Sequence, residues 1–229
     1  MEEKKNIGTL FDNLAGTYDR FNHVLSFNID KQWRRQAVHA LVHADNVLDV
    51  AIGTGDLAIE MLRQGKACHV TGIDLSQGMM DIGKEKALKL GLADSIRFNH
   101  GSAFEMPYDS GSFDAVTCSY GVRNFSDLDR GLREMYRVLR PGGQLLIMEF
   151  SYPTNPVIRW GYNLFFSHIM PLVGRIMHKD KATFSYFRHS VKTFIWGQQM
   201  ADRIAAAGFT HPTFRTQTFG ISTIYTATK

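Results

Sequence analysis

The strongest constraint on the fold is an alternation of short apolar runs with segments of helical periodicity through the middle of the chain. Apolar runs at 47–51, 68–73, 96–98, 113–119 and 144–150 are separated by stretches whose apolar residues recur every three or four positions. Such an alternation is typical of βαβ units, which build a parallel sheet covered by helices. The sequence therefore predicts an α/β chain whose ligand binds at the carboxyl ends of the strands.

Both ends of the chain fall outside this alternation. Residues 1–45 show helical periodicity and no strand pattern, which predicts an N-terminal helical cap. The runs at 209–216 and 221–228 alternate apolar and polar residues and follow one another with no helix between them. They predict a terminal antiparallel hairpin at the edge of an otherwise mostly parallel, doubly wound sheet.

The segment 152–197 does not fit the alternation either, because it is rich in aromatic residues and carries three histidines. Its longest apolar stretch, 157–177, is interrupted by Arg159, Pro171 and Arg175, and charged residues are costly at the centre of a spanning helix. We therefore predict a helical lid over the carboxyl edge of the sheet and reject a transmembrane span. The predicted single domain has a cap at 1–45, a core at 46–151, the lid at 152–197, and a last helix and hairpin at 198–229.

Composition and charge indicate a soluble globular protein. The 229 residues are 44% hydrophobic and 21% charged, with a net charge of +4. This charge is unevenly distributed, since residues 1–150 hold 17 basic and 20 acidic residues whereas residues 151–229 hold 9 and 2. Two cysteines are too few for a disulfide scaffold, and with an N-terminus that lacks an apolar core they favour a cytoplasmic protein.

A glycine-containing turn, Gly53-Thr54-Gly55, follows the first predicted strand. Glycine lets the backbone turn tightly and lets a ligand approach the main chain closely. Asp49 precedes this turn and brings a carboxylate to the place where the pyrophosphate of a dinucleotide would otherwise lie. A carboxylate there is unfavourable for a phosphate and favourable for the cationic methionine portion of S-adenosyl-L-methionine.

A second acid, Asp74, ends the second predicted strand, 21 residues beyond Gly53, where a carboxylate can accept hydrogen bonds from both hydroxyls of a ribose. A nicotinamide-binding domain also has glycines and such an acid. Asp49, the presence of Ala58 in place of a third glycine, and the terminal hairpin argue against it. The structural alternatives are a core-edge or capping acid for Asp49 and a helix N-cap for Asp74.

The end of the third predicted strand supplies two further candidates, and the end of the fourth excludes one class of acceptor. Ser102 and Ala103 follow the third strand, where the adenine would lie, although a plain turn also accounts for them. Ser119 ends the fourth strand, and no Asn/Asp-Pro-Pro-aromatic motif of nucleic-acid methyltransferases follows it. We therefore do not interpret the basic charge as nucleic-acid binding.

Eight segments along the chain match one set of family signatures, including Tyr18-Asp19-Arg20-Phe21 near the N-terminus and Gly121-Val122-Arg123-Asn124 after the fourth strand. Together they resemble the ubiquinone/menaquinone biosynthesis C-methyltransferase family (UbiE type). A match that runs from end to end is more specific than a shared fold. The segments are residues 11–26, 29–35, 47–56, 121–124, 136–143, 149–151, 186–190 and 207–209.

This resemblance implies a class I, Rossmann-like methyltransferase that moves a methyl group from S-adenosyl-L-methionine to a ring carbon of a demethylated, polyprenylated quinol. The overall similarity favours demethylmenaquinol, which would give menaquinol, over a benzoquinol precursor of ubiquinone. Two alternatives remain, a methyltransferase that acts on another small molecule and a scaffold that binds the donor without catalysing methyl transfer. The cofactor contacts of the family carry over to Thr54, Asp74, Ser102, Ala103 and Ser119.

Arg123 and Asn124 are the candidate catalytic residues, because they follow the fourth predicted strand on the edge that faces the methyl group. A ring carbon is a poor nucleophile, so the site needs a base for the quinol hydroxyl or a cation for the phenolate. We expect Arg123 to stabilise the phenolate and Asn124 to orient the ring, with a structural ion pair as the alternative for Arg123. His189 in the lid is a candidate base, and a surface role is its alternative.

Tyr18 in the cap is a candidate partner for the carboxylate of the donor, and simple packing is the alternative. Methyl transfer needs no metal, and we find no ligand set for one in the sequence. The aromatic residues of the lid either line a groove for the prenyl tail or form the core between lid and sheet. Because a polyprenyl substrate stays in the bilayer, we expect peripheral contact with an anionic membrane surface at the inner face of the cell membrane. No sequence pattern indicates an oligomeric state.

Overall fold

The computed structural model describes Asp12, Ser26, residues 28–169 and residues 181–229, with only the backbone of residues 181–185. Seven strands of the described chain form one sheet, in the order 3-2-1-4-5-7-6. The strands are β1 (Ala44–Val50), β2 (Ala67–Asp74), β3 (Ile96–His100), β4 (Phe113–Ser119), β5 (Leu139–Phe150), β6 (Thr210–Gln217) and β7 (Ser222–Thr228).

The described helices alternate with the strands in the core and follow one another in the lid. Short 3₁₀ turns occupy Val122–Asn124 and Thr218–Gly220, and a π-helical turn occupies Phe165–Ile169. The α-helices are α1 (Ile29–His39), α2 (Asp56–Arg63), α3 (Gln77–Lys89), α4 (Leu128–Val138), α5 (Pro156–Leu164), α6 (Lys181–Thr193) and α7 (Gln198–Ala206).

Both faces of the sheet are buried, because adjacent residues of its central strands belong to different hydrophobic cores. On β1, Val47 belongs to the core that includes residues of α1, α2 and α3, whereas Leu48 belongs to the core that includes residues of α4 and α7. Strands buried on both faces are apolar almost throughout. This burial explains why the central strands β1, β4 and β5 are recognisable in the sequence as short apolar runs.

Side chains at the carboxyl edge determine where three helices begin. The Ser76 hydroxyl accepts from the Met79 amide at 3.2 Å, which caps α3, and the Asp127 carboxylate accepts from the Arg130 amide at 2.9 Å, which caps α4. Asn155 caps α5, whose first residue is a proline. Caps of this kind satisfy the N–H groups that lack a partner inside the helix. They fix the turns between the strand ends and the helices that follow.

The predicted α/β fold with a mostly parallel, doubly wound sheet is confirmed. β1 to β5 run parallel, and β4 has the bounds that its apolar run predicts. β5 begins at Leu139, five residues before the predicted start, because Leu139 pairs with Phe113 before a bulge. A Cβ at Gly143 would come within 2.8 Å of the Asp114 carbonyl oxygen, so this close approach of the two strands requires glycine.

The predicted terminal hairpin also forms, and its second strand lies inside the sheet. β7 pairs antiparallel with β5 and with β6, so that β6 is the edge strand. The turn between them carries two non-glycine residues with positive φ, Thr218 at 41° and Phe219 at 58°. This turn lies at the same edge as the carboxyl end of β5, because Phe150 pairs with Ser222.

The described parts of the predicted lid are α5, the π-helical turn and α6. None of the helices in the described ranges has the length and apolar character needed to cross a membrane. Of the predicted N-terminal cap at 1–45, the structure describes Asp12, Ser26 and residues 28–45. These include α1, and β1 begins at Ala44 inside the segment for which no strand was predicted. Tyr18 and most of the first family signature lie outside the described residues.

Candidate functional site

Two strained turns meet at the carboxyl edge, where β1 and β4 lie side by side. Ala51 after β1 and Tyr120 after β4 have positive φ values of 56° and 55°, which non-glycine residues rarely adopt. A Cβ at Gly121 would come within 2.7 Å of both the Ala51 Cβ and the Cys118 Sγ. The two turns are therefore in direct contact at the point where the strand order reverses, which is where sheets of this kind bind their ligands.

Asp74 joins the glycine turn to the start of α3. Its Oδ2 accepts from the Gly53 amide at 2.8 Å, and its Oδ1 accepts from the Ser76 amide at 2.8 Å. Gly53 and Gly55 have φ values of 55° and 76°, so glycine is needed at both positions of the turn. Ser76, and not Asp74, is the N-cap of α3. The structure thus brings Gly53 into contact with Asp74, the acid 21 residues further on that the sequence places beside the donor.

Asp49 is buried directly behind this turn, with only 1% of its surface exposed. Its Oδ1 accepts from the Thr117 hydroxyl on β4 at 2.7 Å. Burial raises the pKa of Asp49 to about 7, the hydrogen bond from Thr117 opposes the rise, and the charge of Asp74 adds to it. A buried carboxyl group of this kind ionises more readily when a cation binds beside it.

Thr54 is buried between the glycine turn and α3. The Lys86 ammonium donates to its hydroxyl at 3.3 Å and also pairs with Asp56 at the start of α2. Arg34 of α1 lies 3.2 Å from the other oxygen of Asp56 and 2.6 Å from Asp30. This charge network ties three helices together beneath the turn and explains why Thr54 is held in one position.

The remaining cofactor candidates lie along the same edge. The Gly101 amide donates to the Asp74 carbonyl oxygen at 2.9 Å, so the turn after β3 is attached to the end of β2. In that turn the Ser102 hydroxyl accepts from the Phe104 amide at 3.3 Å, and Ala103 is half-buried. Ser119 is the last residue of β4 and is also half-buried.

Arg123 forms a buried ion pair at the end of β5. Its side chain is 4% exposed, and its Nη1 donates to Oε1 of Glu149 at 2.8 Å while its amide donates to Oε2 at 3.2 Å. The same Nη1 donates to the Tyr120 carbonyl oxygen. The guanidinium carbon lies 5.3 Å from the ring centroids of both Phe150 and Phe187. This geometry agrees with the alternative prediction that Arg123 forms a structural ion pair. It also holds a cation at the predicted acceptor side of the site.

The lid helix α6 contacts the turn that carries Arg123. The Tyr186 hydroxyl donates to the Asn124 Oδ1 at 2.9 Å, and Phe187 packs against Arg123. Burial raises the pKa of Tyr186, which keeps its phenol protonated and able to donate. His189 lies on the same helix with its side chain exposed to solvent, in agreement with the surface alternative for this residue.

A series of ring contacts leads from the sheet into the lid. Tyr120 stacks on Phe150 at 4.2 Å between centroids, and Phe150 meets Phe187 edge to face at 5.1 Å. Phe187 stacks on Phe166 at 5.9 Å, and Phe166 lies 4.3 Å from Tyr162. Some of the lid aromatics therefore form the core between lid and sheet.

The sequence analysis assigned no role to Glu149, which pairs with Arg123, or to Thr117, which donates to Asp49. A usable signal was present for Glu149, since a single acid that ends an apolar strand beside a predicted catalytic arginine needs a charged partner. Thr117 carried no such signal, because a threonine inside a strand is common. The three potential metal ligands that cluster among the described residues, His43, Asp45 and Cys68, are exposed at the opposite edge of the sheet.

Solved structures with this architecture define the class of the protein. The [4+2]-cyclase SpnF matches with a TM-score of 0.72 at 17% identity, over 99% of this chain and 96% of its own. A possible histamine N-methyltransferase from Thermotoga maritima matches with a TM-score of 0.68 at 18% identity, over 97% of this chain and 99% of its own. The chain has the class I fold of the methyltransferases that use S-adenosyl-L-methionine.

The family follows from the sequence comparisons. The family model described as the ubiE/COQ5 methyltransferase family matches residues 1–229. A demethylmenaquinone methyltransferase of Bacteroides fragilis is 39% identical over 100% of this chain and 94% of its own, and one of Deinococcus radiodurans is 40% identical over 96% and 91%. The UbiE C-methyltransferase of Geotalea daltonii is 38% identical over 100% and 98%. The chain belongs to the ubiE/COQ5 methyltransferase family, which confirms the resemblance, and its methyl donor is S-adenosyl-L-methionine.

Proposed function

We propose that this chain transfers a methyl group from S-adenosyl-L-methionine to a ring carbon of a polyprenylated demethylmenaquinol, giving menaquinol. The observation that carries this proposal is the similarity along the full chain to relatives named demethylmenaquinone methyltransferase, at 34–40% identity. A benzoquinol precursor of ubiquinone is the second candidate acceptor, because other relatives are named for ubiquinone and menaquinone biosynthesis together.

Backbone conformation and buried charge at the carboxyl edge support binding of the donor there. The turn needs glycine at Gly53 and Gly55, so neither residue adds a side chain of its own over the main chain there. Asp49 is a buried carboxyl group with a pKa of about 7, which suits a neighbouring cation. S-adenosyl-L-methionine supplies an electrophilic methyl group on a sulfonium. The residues proposed to hold it are Asp49, Gly53, Thr54, Gly55, Asp74, Ser102, Ala103 and Ser119, with Tyr18 from the cap.

On the acceptor side, we propose that Arg123 stabilises the phenolate while Asn124 orients the ring. Glu149 and the Tyr120 carbonyl oxygen hold Nη1, so the guanidinium is fixed before any substrate binds. A fixed cation in a water-poor setting stabilises developing charge better than a mobile one. The hydrogen bond between Tyr186 and Asn124 supports the second role, since it fixes the amide at the lid side of the same turn.

Incubation of the purified protein with methyl-labelled donor and each of two acceptors, a demethylmenaquinol and the corresponding demethylated benzoquinol, tests the proposal. Label on a ring carbon of the naphthoquinol is the expected result. Exclusive transfer to the benzoquinol would select the second candidate. Transfer to neither, with the donor still bound, would contradict the proposal and leave a donor-binding scaffold or a methyltransferase with another small-molecule acceptor.

We further propose that the protein meets its acceptor at the inner face of the cell membrane as a peripheral protein. The prenyl tail of the acceptor is expected to remain in the bilayer, so the lid has to approach the lipid. The basic excess of residues 151–229, 9 basic against 2 acidic residues, supports contact with anionic lipid. Vesicle binding that weakens as salt is added is the expected behaviour.

A further inference from the structure

The outer face of α5 is apolar and has no partner among the described residues. Val157, Trp160 and Leu164 are 73%, 69% and 44% exposed, and their spacing of three and four residues places them on one side of the helix. Ile169, in the π-helical turn that follows, is 45% exposed. Contiguous exposed apolar side chains of this kind mark an interaction surface.

The opposite side of α5 is buried at Tyr162. Tyr162 is 7% exposed and contacts Tyr152 and Phe166 at centroid distances of 5.5 Å and 4.3 Å. The helix thus has an inner side that joins the ring contacts leading to Arg123 and an outer side that is apolar as well. A helix that is apolar on both sides and lies at the surface needs a second apolar environment.

A second apolar residue is presented at this edge from a separate element. Phe219 is 76% exposed and has a φ of 58°, in a turn where Thr218 also has a positive φ. The Ser151 hydroxyl donates to the Gly220 carbonyl oxygen at 2.8 Å, so this turn contacts the chain that leads into α5. Non-glycine residues with a positive φ cost free energy, and such residues cluster at functional sites.

The charges around this surface suit anionic headgroups. Among the described side chains of α5 and α6, Arg159, Arg188 and Lys192 are basic and none is acidic. Arg159 of α5 and Lys192 of α6 both flank the Tyr152 ring, at 5.6 Å and 5.7 Å from its centroid. Apolar side chains that include a tryptophan, with basic residues beside them, are typical of helices that lie in the interface of a bilayer.

We propose that Val157, Trp160, Leu164, Ile169 and Phe219 form a membrane-docking surface that inserts into the interface of an anionic phospholipid bilayer. This inference rests on the proposed function, because a bilayer-resident acceptor requires the lid to meet the lipid. The surface turns the lid towards the bilayer and the amino edge of the sheet away from it. The ring contacts from Tyr162 to Phe187 then connect the lipid side of the lid to Arg123.

Flotation with vesicles of phosphatidylglycerol and phosphatidylcholine tests the surface. The double variant Val157→Ser/Trp160→Ser is expected to bind at least about tenfold more weakly than the wild type, because two inserted side chains are lost. The matched control is Val42→Ser/Leu88→Ser, whose residues are 68% and 71% exposed near the amino edge, and it is expected to bind as the wild type does. Equal binding by both variants, or equal weakening, would overturn the proposal.

Tryptophan fluorescence gives a second readout that does not depend on affinity. The variant Trp196→Phe serves as the background, because Trp196 is half-buried whereas Trp33 is buried. Lipids brominated in their acyl chains are expected to quench this background protein, and the further change Trp160→Phe is expected to remove most of that quenching. Quenching that is unchanged in Trp160→Phe would contradict insertion of this helix. A change of oligomeric state in the double variant with unchanged vesicle binding would instead assign the surface to a second copy of the chain.

Turnover separates this inference from the proposed function. With a demethylated quinol that lacks the prenyl tail, in solution without vesicles, the double variant is expected to match the wild type. Normal turnover by both proteins together with equal vesicle binding overturns the docking surface alone. Absence of turnover by the wild type on any quinol overturns the proposed function, whatever the vesicle results are.

Discussion

Glu149 holds Arg123 twice, through the main-chain amide and through the guanidinium, at 3.2 Å and 2.8 Å. Both side chains are almost completely buried, at 4% and 1% exposure for Arg123 and Glu149. The contact joins the turn after β4 to the end of β5, two neighbouring strands of the sheet. It therefore fixes the position of the cation that we assign to the acceptor side of the site.

Removal of one partner of this pair is expected to destabilise the protein strongly. Glu149→Gln should lower the free energy of unfolding by about 3–5 kcal/mol, because a buried guanidinium loses its counter-charge. The double variant Arg123→Met/Glu149→Gln should regain part of that loss, and urea unfolding measures both. Turnover should stay about a hundredfold below wild type in the double variant. Recovery of turnover together with stability would show that Arg123 has only a structural role.

Asp74→Asn is expected to weaken donor binding by roughly ten- to a hundredfold, because hydrogen bonds to a charged acceptor contribute about 1.5–3 kcal/mol. The substitution also weakens the hold on the Gly53 amide. Isothermal titration calorimetry with S-adenosyl-L-methionine measures the change. Asp81→Asn, which removes an exposed acid from the neighbouring helix α3, serves as the control and should leave the affinity unchanged. Equal affinity of Asp74→Asn and the control would contradict the assignment.

Asp49 should make stability fall as the pH rises. Its pKa is raised to about 7 in the folded protein from 3.8 in a free side chain, so the unfolded chain holds fewer protons between these values. The free energy of unfolding should therefore fall from about pH 4 to about pH 7, by about 4 kcal/mol at most, and level off above. Comparison of Asp49→Asn with the wild type across this range measures the contribution, and identical slopes would argue against it.

The same carboxyl group should release a proton when the cationic donor binds below pH 7. The neighbouring positive charge favours the ionised form of Asp49, so its pKa falls on binding. Calorimetry in two buffers of different ionisation enthalpy measures the number of protons released. We expect a fraction of a proton near pH 6 for the wild type and none for Asp49→Asn. Equal release by both proteins would place the titrating group elsewhere.

Gly121→Ala is expected to destabilise the protein by about 1–3 kcal/mol, because its methyl group would overlap the Ala51 Cβ and the Cys118 Sγ. Gly161→Ala on α5 is the matched control, since nothing lies within 4 Å of a Cβ there and alanine favours helix. Thermal unfolding should show a lower midpoint for the first variant and an unchanged or higher midpoint for the second. Equal midpoints would show that the two turns can move apart.

Local patterns predicted most of the strands and helices, and the spacing of Gly53 and Asp74 predicted their contact. β4 has the bounds of its apolar run, because a strand buried on both faces leaves a continuous signal. Gly53 and Asp74 meet because parallel strands end at the same edge, so a spacing in sequence becomes a contact in space. The roles of these residues towards the donor remain predictions.

The contacts at the proposed acceptor side could not be predicted from the sequence, because they join residues that are far apart in the chain. Arg123 and Glu149 are 26 residues apart, and Asn124 and Tyr186 are 62 apart. The periodicity of apolar residues within one helix or strand does not predict contacts of this kind. The position of β7 between β5 and β6 could not be predicted from the sequence either. Two adjacent runs of alternating apolar and polar residues indicate a hairpin, but they do not indicate which of its strands pairs with the rest of the sheet.

The contact between the turns after β1 and β4 has a consequence for redesign of this enzyme. Since a Cβ at Gly121 would overlap the Ala51 Cβ, any larger residue at Gly121 will push against the loop that we propose for the donor. A substitution at Gly121 that is meant for a new acceptor is therefore expected to change donor affinity as well. Among the described side chains, those of the lid helix α6 contact this edge through the packing of Phe187 on Phe150 and the hydrogen bond from Tyr186 to Asn124. Libraries that vary these lid residues are expected to change acceptor choice while leaving the proposed donor loop intact.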